Sequence, residues 1–134
     1  LPSGRKSGTP LADGASPYPS YDKNGPSAIT KSVASLHNAE NGCGTLLNMK
    51  FSPALLNTAE DKAKLGAMLR AMARLGCYHV QFNVVSRETL EDAVEHPQDH
   101  QDLLVRVAGY SAYFTQLRPE SQQMIIDRTE LSAW

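Results

Sequence analysis

Between Thr45 and Val85 the hydrophobic period switches from two to 3.6 and back to two, which commits this stretch to strand, helix and strand. Leu47, Met49 and Phe51 alternate with Leu46, Asn48 and Lys50 in a strand over residues 45–51, which Pro53 ends. The longest helix is predicted over 58–75. Thr58 is a natural N-cap, and Glu60 and Asp61 in the first turn suit the positive end of the helix dipole. Leu65, Met68, Leu69, Met72 and Leu75 make its apolar stripe, and Gly76 can close its end. A second strand is predicted over 77–85. There Val80, Phe82 and Val84 alternate with Gln81 and Asn83, so apolar residues take one face and the amides a wet or functional one. Strand–helix–strand of this length suits a parallel βαβ unit, and one such unit is too little sheet to close on its own.

The flanks are less regular. Residues 1–26 hold four glycines and five prolines, which is loop chemistry. A loop of that length suits a segment wrapping over a larger body. Ser86 can cap a helix over 87–96 that Pro97 stops, Leu103 to Val107 is a short apolar run, and Pro119 opens a last helix reaching about Leu131. The class is α/β. With 134 residues, 41% apolar and net charge −1, the chain has the makings of one modest core and no charge bias toward nucleic acid or a membrane surface. It shows no membrane-spanning apolar run and begins with Leu1, which suggests a fragment, a processed product or one piece of a longer chain. The two cysteines, Cys43 and Cys77, make neither a disulfide framework nor a zinc site, so a reducing cytoplasm is the expected compartment.

Gly109 is the only glycine after Gly76, set in the string Arg106-Val107-Ala108-Gly109-Tyr110-Ser111. A lone glycine among good strand and helix formers is usually one that no other residue can replace. The plain reading is a turn glycine between a strand and a helix. Glycine is also the residue whose α-carbon flattens with least strain, a form a side chain would obstruct. Val105, Val107, Tyr110, Tyr113 and Phe114 place bulky apolar groups near it in the sequence.

That string resembles the signature of glycyl radical enzymes, the family of pyruvate formate-lyase and the glycerol and hydroxyproline dehydratases. The resemblance extends to Phe114 and Leu117, to the run Gln122 to Thr129, to Val80–Val85, and upstream to Gly44–Asn48, Asp22–Pro26 and Pro10–Gly14. It implies that Gly109 is the catalytic residue that stores the radical. Arg106, Val107, Ala108, Tyr110 and Ser111 would be the segment recognised by an activase of the radical S-adenosylmethionine type. The implied fold is the C-terminal part of a ten-stranded glycyl radical enzyme barrel plus the glycine radical loop and terminal helix. Residues 1–12 would end the preceding barrel domain or linker, and 13–134 would form the glycine radical domain.

The family's catalytic cysteine lies far upstream, so the implied partners are the remainder of the barrel with that cysteine and the activase, the full enzyme being a homodimer. No bound cofactor or metal is implied. The reaction would be dehydratase- or decarboxylase-like cleavage of a C–O, C–N, C–S or C–C bond in an anaerobic organism. The alternative is an autonomous spare-part glycyl radical protein that restores an oxygen-damaged lyase.

Cys43, between two glycines, is a weak candidate for a reactive thiol, and Cys77 reads as a small buried residue. His37, His79, His96 and His100 lack metal-ligand spacing. Glu88 with Asp92 and Glu91 with Glu95 read as a solvated helix face without partners that would shift a pKa.

Overall fold

The computed structural model describes residues 4, 6–9, 11–19, 21–40 and 45–134. The expected βαβ unit is its centre. Strands β1 (Leu46–Phe51) and β2 (His79–Val84) pair in parallel, with Asn48 opposite Gln81 and Lys50 opposite Asn83. Helix α2 (Ala59–Arg74) crosses between them. It starts where the sequence says: Thr58 accepts from the Asp61 N–H while the Asp61 carboxylate accepts from the Thr58 N–H, a reciprocal cap. It ends at Gly76, whose φ of +81° only glycine adopts without strain.

Three elements have no counterpart among those the periodicity predicts. Helix α1 (Gly25–Ala34) follows directly on the loop region and buries Ile29 and Val33. The last helix, α4 (Pro119–Asp127), stops short of the predicted Leu131. Arg128 turns extended there, and Glu130–Leu131 form strand β5, which pairs in parallel with Lys50 and Phe51. The apolar run after residue 103 is half of an antiparallel hairpin, β3 (Leu104–Arg106) and β4 (Ser111–Tyr113). Gly109 therefore turns between two strands, not between a strand and a helix.

The main sheet has the order β2-β1-β5, and β5 covers only the far end of one β1 edge. The near end of that edge is taken by the loop region: Ala15 donates to Leu46 O at 2.7 Å, and the Asn48 N–H donates to Ser16 Oγ at 2.8 Å. In part, then, the proline- and glycine-rich segment wraps over this chain's own sheet. Gly14 makes that close approach possible, since a Cβ there would stand 2.5 Å from Leu46 O.

The two faces of the sheet differ. Leu47, Met49 and Phe51, with Val80 and Phe82 beside them, pack against α1 and α2 in one apolar core. A second core joins helix α3 (Arg87–Glu95), the hairpin and α4 through Leu90, Val105, Val107, Phe114, Ile125 and Ile126. The sheet's other face carries Asn48, Lys50, Gln81 and Asn83, and all four are buried. The amide face of β2 is therefore not wet. It is a buried polar seat, and polar groups in such a place are mostly hydrogen-bonded, with Asn48 Oδ1 an exception here. Among the described residues no helix is long and apolar enough to cross a membrane.

Candidate functional site: the glycine hairpin and its polar seat

The hairpin closes through the Val107 N–H, which donates to Tyr110 O at 2.9 Å, leaving Ala108 and Gly109 as the turn. Gly109 has φ +80°, which fits the third position of a type II turn, where glycine is favoured. The residue is exposed, and a Cβ built on it meets nothing within 4 Å. Glycine is required here by backbone conformation, not by crowding. One of its α-hydrogens faces open space.

The hairpin is held to the sheet by side chains, not by a strand ladder. Asn83 clips residue 106 from both sides: its Oδ1 accepts from the Arg106 N–H at 2.7 Å and its Nδ2 donates to Arg106 O at 2.8 Å. Two residues along the same face, Gln81 Oε1 accepts from the Gly109 N–H at 3.2 Å. Asn83 and Gln81 are 6% and 7% exposed, so these bonds form in a water-poor setting where losing a partner is costly.

A third clamp comes from the turn after α4. Arg128 donates to Arg106 O at 3.0 Å, to Val107 O at 2.5 Å and to Asp13 Oδ2 at 2.5 Å. The guanidinium fork matches this set of acceptors as an ammonium could not. Burial draws the Arg128 pKa down and the Asp13 carboxylate opposes the shift. Asp13 also accepts from Asn48 Nδ2 at 2.6 Å, which ties the clamp to the sheet. Beside it Lys50, 1% exposed, donates to Ile126 O at 2.9 Å, a cation at the negative end of α4. Burial holds its pKa below the usual 10.5, with Glu130 opposing.

The predicted recognition segment divides in this structure. Tyr110 and Ser111 are exposed, and Arg106 and Ala108 are half-buried. Arg106 donates to Ser111 Oγ at 3.1 Å on the outer face of the hairpin. The Val107 side chain is buried in the second core. Apolar cover around Gly109 is also only partial. Val105, Val107 and Phe114 are buried in the core, while Tyr110 and Tyr113 are 54% and 46% exposed. Of the five residues expected to supply apolar cover locally, three are buried in this domain and two are exposed.

Elsewhere, Cys77 is buried as expected, its Sγ donating to Thr30 O at 3.6 Å, and burial pushes its thiol pKa up. Cys43 lies outside the described residues. The α3 carboxylates do have partners, contrary to the sequence reading. Asp92 is held below the usual carboxylate range chiefly by bonds to His100, at 2.6 Å, and His96, at 2.9 Å. Glu91 pairs with Arg87 at 2.7 Å, and the Glu88 pKa is lowered mainly by its own backbone N–H. Among the described residues no group of three or more His, Cys, Asp or Glu side chains is placed to hold a metal ion. A groove of about 930 Å³, lined in part by Asp13, Asn48, Lys50 and Arg128, lies behind the clamp, and Gly109 does not line it.

Sequence reasoning missed Gln81, Asn83, Asp13 and Arg128 as site residues. The amide alternation in β2 was the available signal for the first two. Asp13 and Arg128 are 115 positions apart, and nothing local links them.

The family model described as "Glycine radical" matches residues 11–115. The chain is 52% identical over 130 residues to a probable dehydratase, YbiW, of Escherichia coli (strain K12), covering 96% of this chain and 16% of that protein. It is 40% identical over 129 residues to the trans-4-hydroxy-L-proline dehydratase of Clostridioides difficile, again covering 96% and 16%. Among solved structures, the glycerol-bound form of the B12-independent glycerol dehydratase from Clostridium butyricum superposes with a TM-score of 0.92 at 44% identity, covering 98% of this chain and 17% of that one. The chain thus spans about a sixth of the length of the curated relatives it matches.

Proposed function

This chain belongs to the glycine radical family, and from that premise we propose that Gly109 is the radical-storage residue of a larger anaerobic lyase, of which this chain is the C-terminal domain. The observation that carries the proposal is the geometry of Gly109. It sits at the tip of a hairpin, in a conformation reserved for glycine, with open space at its α-carbon and its backbone gripped from behind. An activating enzyme of the radical S-adenosylmethionine type would remove one α-hydrogen atom and leave one unpaired electron on Gly109. Arg106, Ala108, Tyr110 and Ser111 present the surface such an enzyme would read, with Val107 anchoring the segment. The radical would then draw a hydrogen atom from a cysteine thiol outside this chain, and the resulting thiyl would attack the substrate.

The exposed large side chains of the hairpin, Leu104, Tyr110 and Tyr113, support a larger body that covers it. A ten-stranded barrel carrying the cysteine is the cover the family resemblance implies, in a cytoplasmic homodimer. The reaction class is cleavage of a C–O, C–N, C–S or C–C bond. The names of the relatives above favour a dehydratase. Oxygen supplies the test. Air admitted to the activated full-length enzyme should cut the chain at Gly109 and release a peptide beginning near Tyr110. An unbroken mass from a sample carrying a measured radical would overturn the assignment.

A further inference from the structure

We propose that Gln81 is a positioning residue for the Gly109 radical: its side-chain carbonyl fixes the glycine amide and, through it, the plane in which the unpaired electron spreads. The inference rests on the reading of Gly109 given above. Its structural basis is the pairing of two elements with different spacing. On β2, Gln81 and Asn83 are two residues apart and share a face; on the hairpin, the groups they hold belong to residues 109 and 106. Asn83 sets the register of the hairpin with two bonds to one residue, and that register brings the Gly109 N–H to Gln81 Oε1 at 3.2 Å.

The amide of Gly109 takes no part in closing the turn, which the Val107 N–H does. An N–H can bond only to an acceptor, so the Gln81 side chain must turn its oxygen toward Gly109. Its nitrogen end lies 3.4 Å from His79 Nε2 on the far side, which suits the same orientation. Gln81 is 7% exposed, so water competes poorly for the bond.

The chemistry gives this bond a consequence beyond packing. An unpaired electron on a glycine α-carbon is shared between the nitrogen, which donates electron density, and the carbonyl, which accepts it. Sharing requires the nitrogen lone pair to lie parallel to the half-filled orbital. An acceptor on the N–H holds that plane and makes the nitrogen a better donor. Arg128 holds the Arg106 and Val107 carbonyls, which fixes the chain as it enters the turn; the peptide between Ala108 and Gly109 is held by Gln81 through the Gly109 N–H.

The test uses the full-length enzyme carrying Gln81→Met, which keeps the length of the side chain and removes the acceptor, and Gln81→Glu, which keeps an acceptor. Before activation, amide exchange resolved by fragmentation mass spectrometry reads the bond alone. The Gly109 N–H should exchange about tenfold faster in Gln81→Met than in the wild type, while the Val107 N–H is unchanged. After anaerobic activation, electron–nuclear double resonance with ¹⁵N-labelled glycine reads the nitrogen coupling, and the spin count reads the yield. Gln81→Met should shift the coupling and lower the yield several-fold, and Gln81→Glu should restore the yield. A nitrogen coupling in Gln81→Met identical to that of the wild type would overturn the proposal, as would an unchanged Gly109 exchange rate. If Gln81→Met does not fold, Gln81→Glu decides: a stronger acceptor must move the coupling, and an unmoved one refutes it. A wild-type enzyme that yields no radical with an active activase would instead refute the reading of Gly109 itself.

Discussion

Gly109→Ala separates the conformational role of this glycine from any packing role, and its cost can be worked from the structure. The added methyl meets nothing within 4 Å, so the steric term is absent. The backbone term remains, because φ is +80° and the left-handed region costs an L-residue about 1–2 kcal/mol. Loss of glycine's freedom in the unfolded chain returns about 0.4–1 kcal/mol. The net cost is about 1 kcal/mol, borne locally by the turn. Amide exchange in the full-length enzyme reads it: the Val107 N–H, which closes the turn onto Tyr110 O, should exchange about fivefold faster, with the core of β1 and β2 unaffected. Exchange accelerated by several hundredfold, or loss of protection across both cores, would mean that Gly109 is packed in the full-length enzyme, either within this domain or against the body that covers the hairpin. With the modest result, a missing radical in Gly109→Ala becomes a statement about chemistry and not about folding.

Gly14→Ala should behave in the opposite way. Its Cβ would overlap the Leu46 carbonyl at 2.5 Å at a φ of +59°, so a loss of about 3 kcal/mol or more is expected by urea unfolding, and a loss under 1 kcal/mol would contradict the close approach. Arg128→Ala leaves the Asp13 carboxylate with the Asn48 amide but no countercharge from Arg128, and removes that donor from Val107 O. About 3–5 kcal/mol should be lost, with Arg128→Lys recovering only part of it, and full recovery by lysine would show that the fork geometry is irrelevant. The folded state binds the Lys50 proton less tightly than the unfolded chain, so the contribution of this residue to stability rises with pH up to the unfolded value of 10.5. The wild type should therefore gain on Lys50→Met as pH is raised from neutrality toward 10.5, and parallel pH profiles for the two would refute the buried charge.

What the sequence made legible were features written in neighbouring residues. The switch of period gave β1, α2 and β2, and Thr58, Ser86 and Gly76 marked helix ends because capping chemistry is local. Gly109 stood out because its surroundings are rich in residues that avoid positive φ. The missed features depend on partners far along the chain. Strand β5 is two residues long and exists because Leu131 fills the first core beside Phe51. The predicted last helix ran through it because Met124, Ile125 and Ile126 give no sign of where Arg128 must leave. Lys50 and Asn48 read as an ordinary polar strand face. Only the register with Gln81 and Asn83, and the hairpin laid over them, makes that face a buried seat. Strand alternation places Tyr113 on the exposed face of the hairpin with Leu104 and Ser111, which no local pattern around Gly109 announces.

Electron paramagnetic resonance of the full-length enzyme tests the central claim most directly, after anaerobic incubation with a radical S-adenosylmethionine activase, S-adenosylmethionine and reductant. A doublet from one α-hydrogen is predicted, narrowing when the glycine is deuterated at its α-carbon and vanishing in Gly109→Ala. The same doublet persisting in Gly109→Ala would contradict the account, as would silence from an enzyme whose activase is active on another substrate.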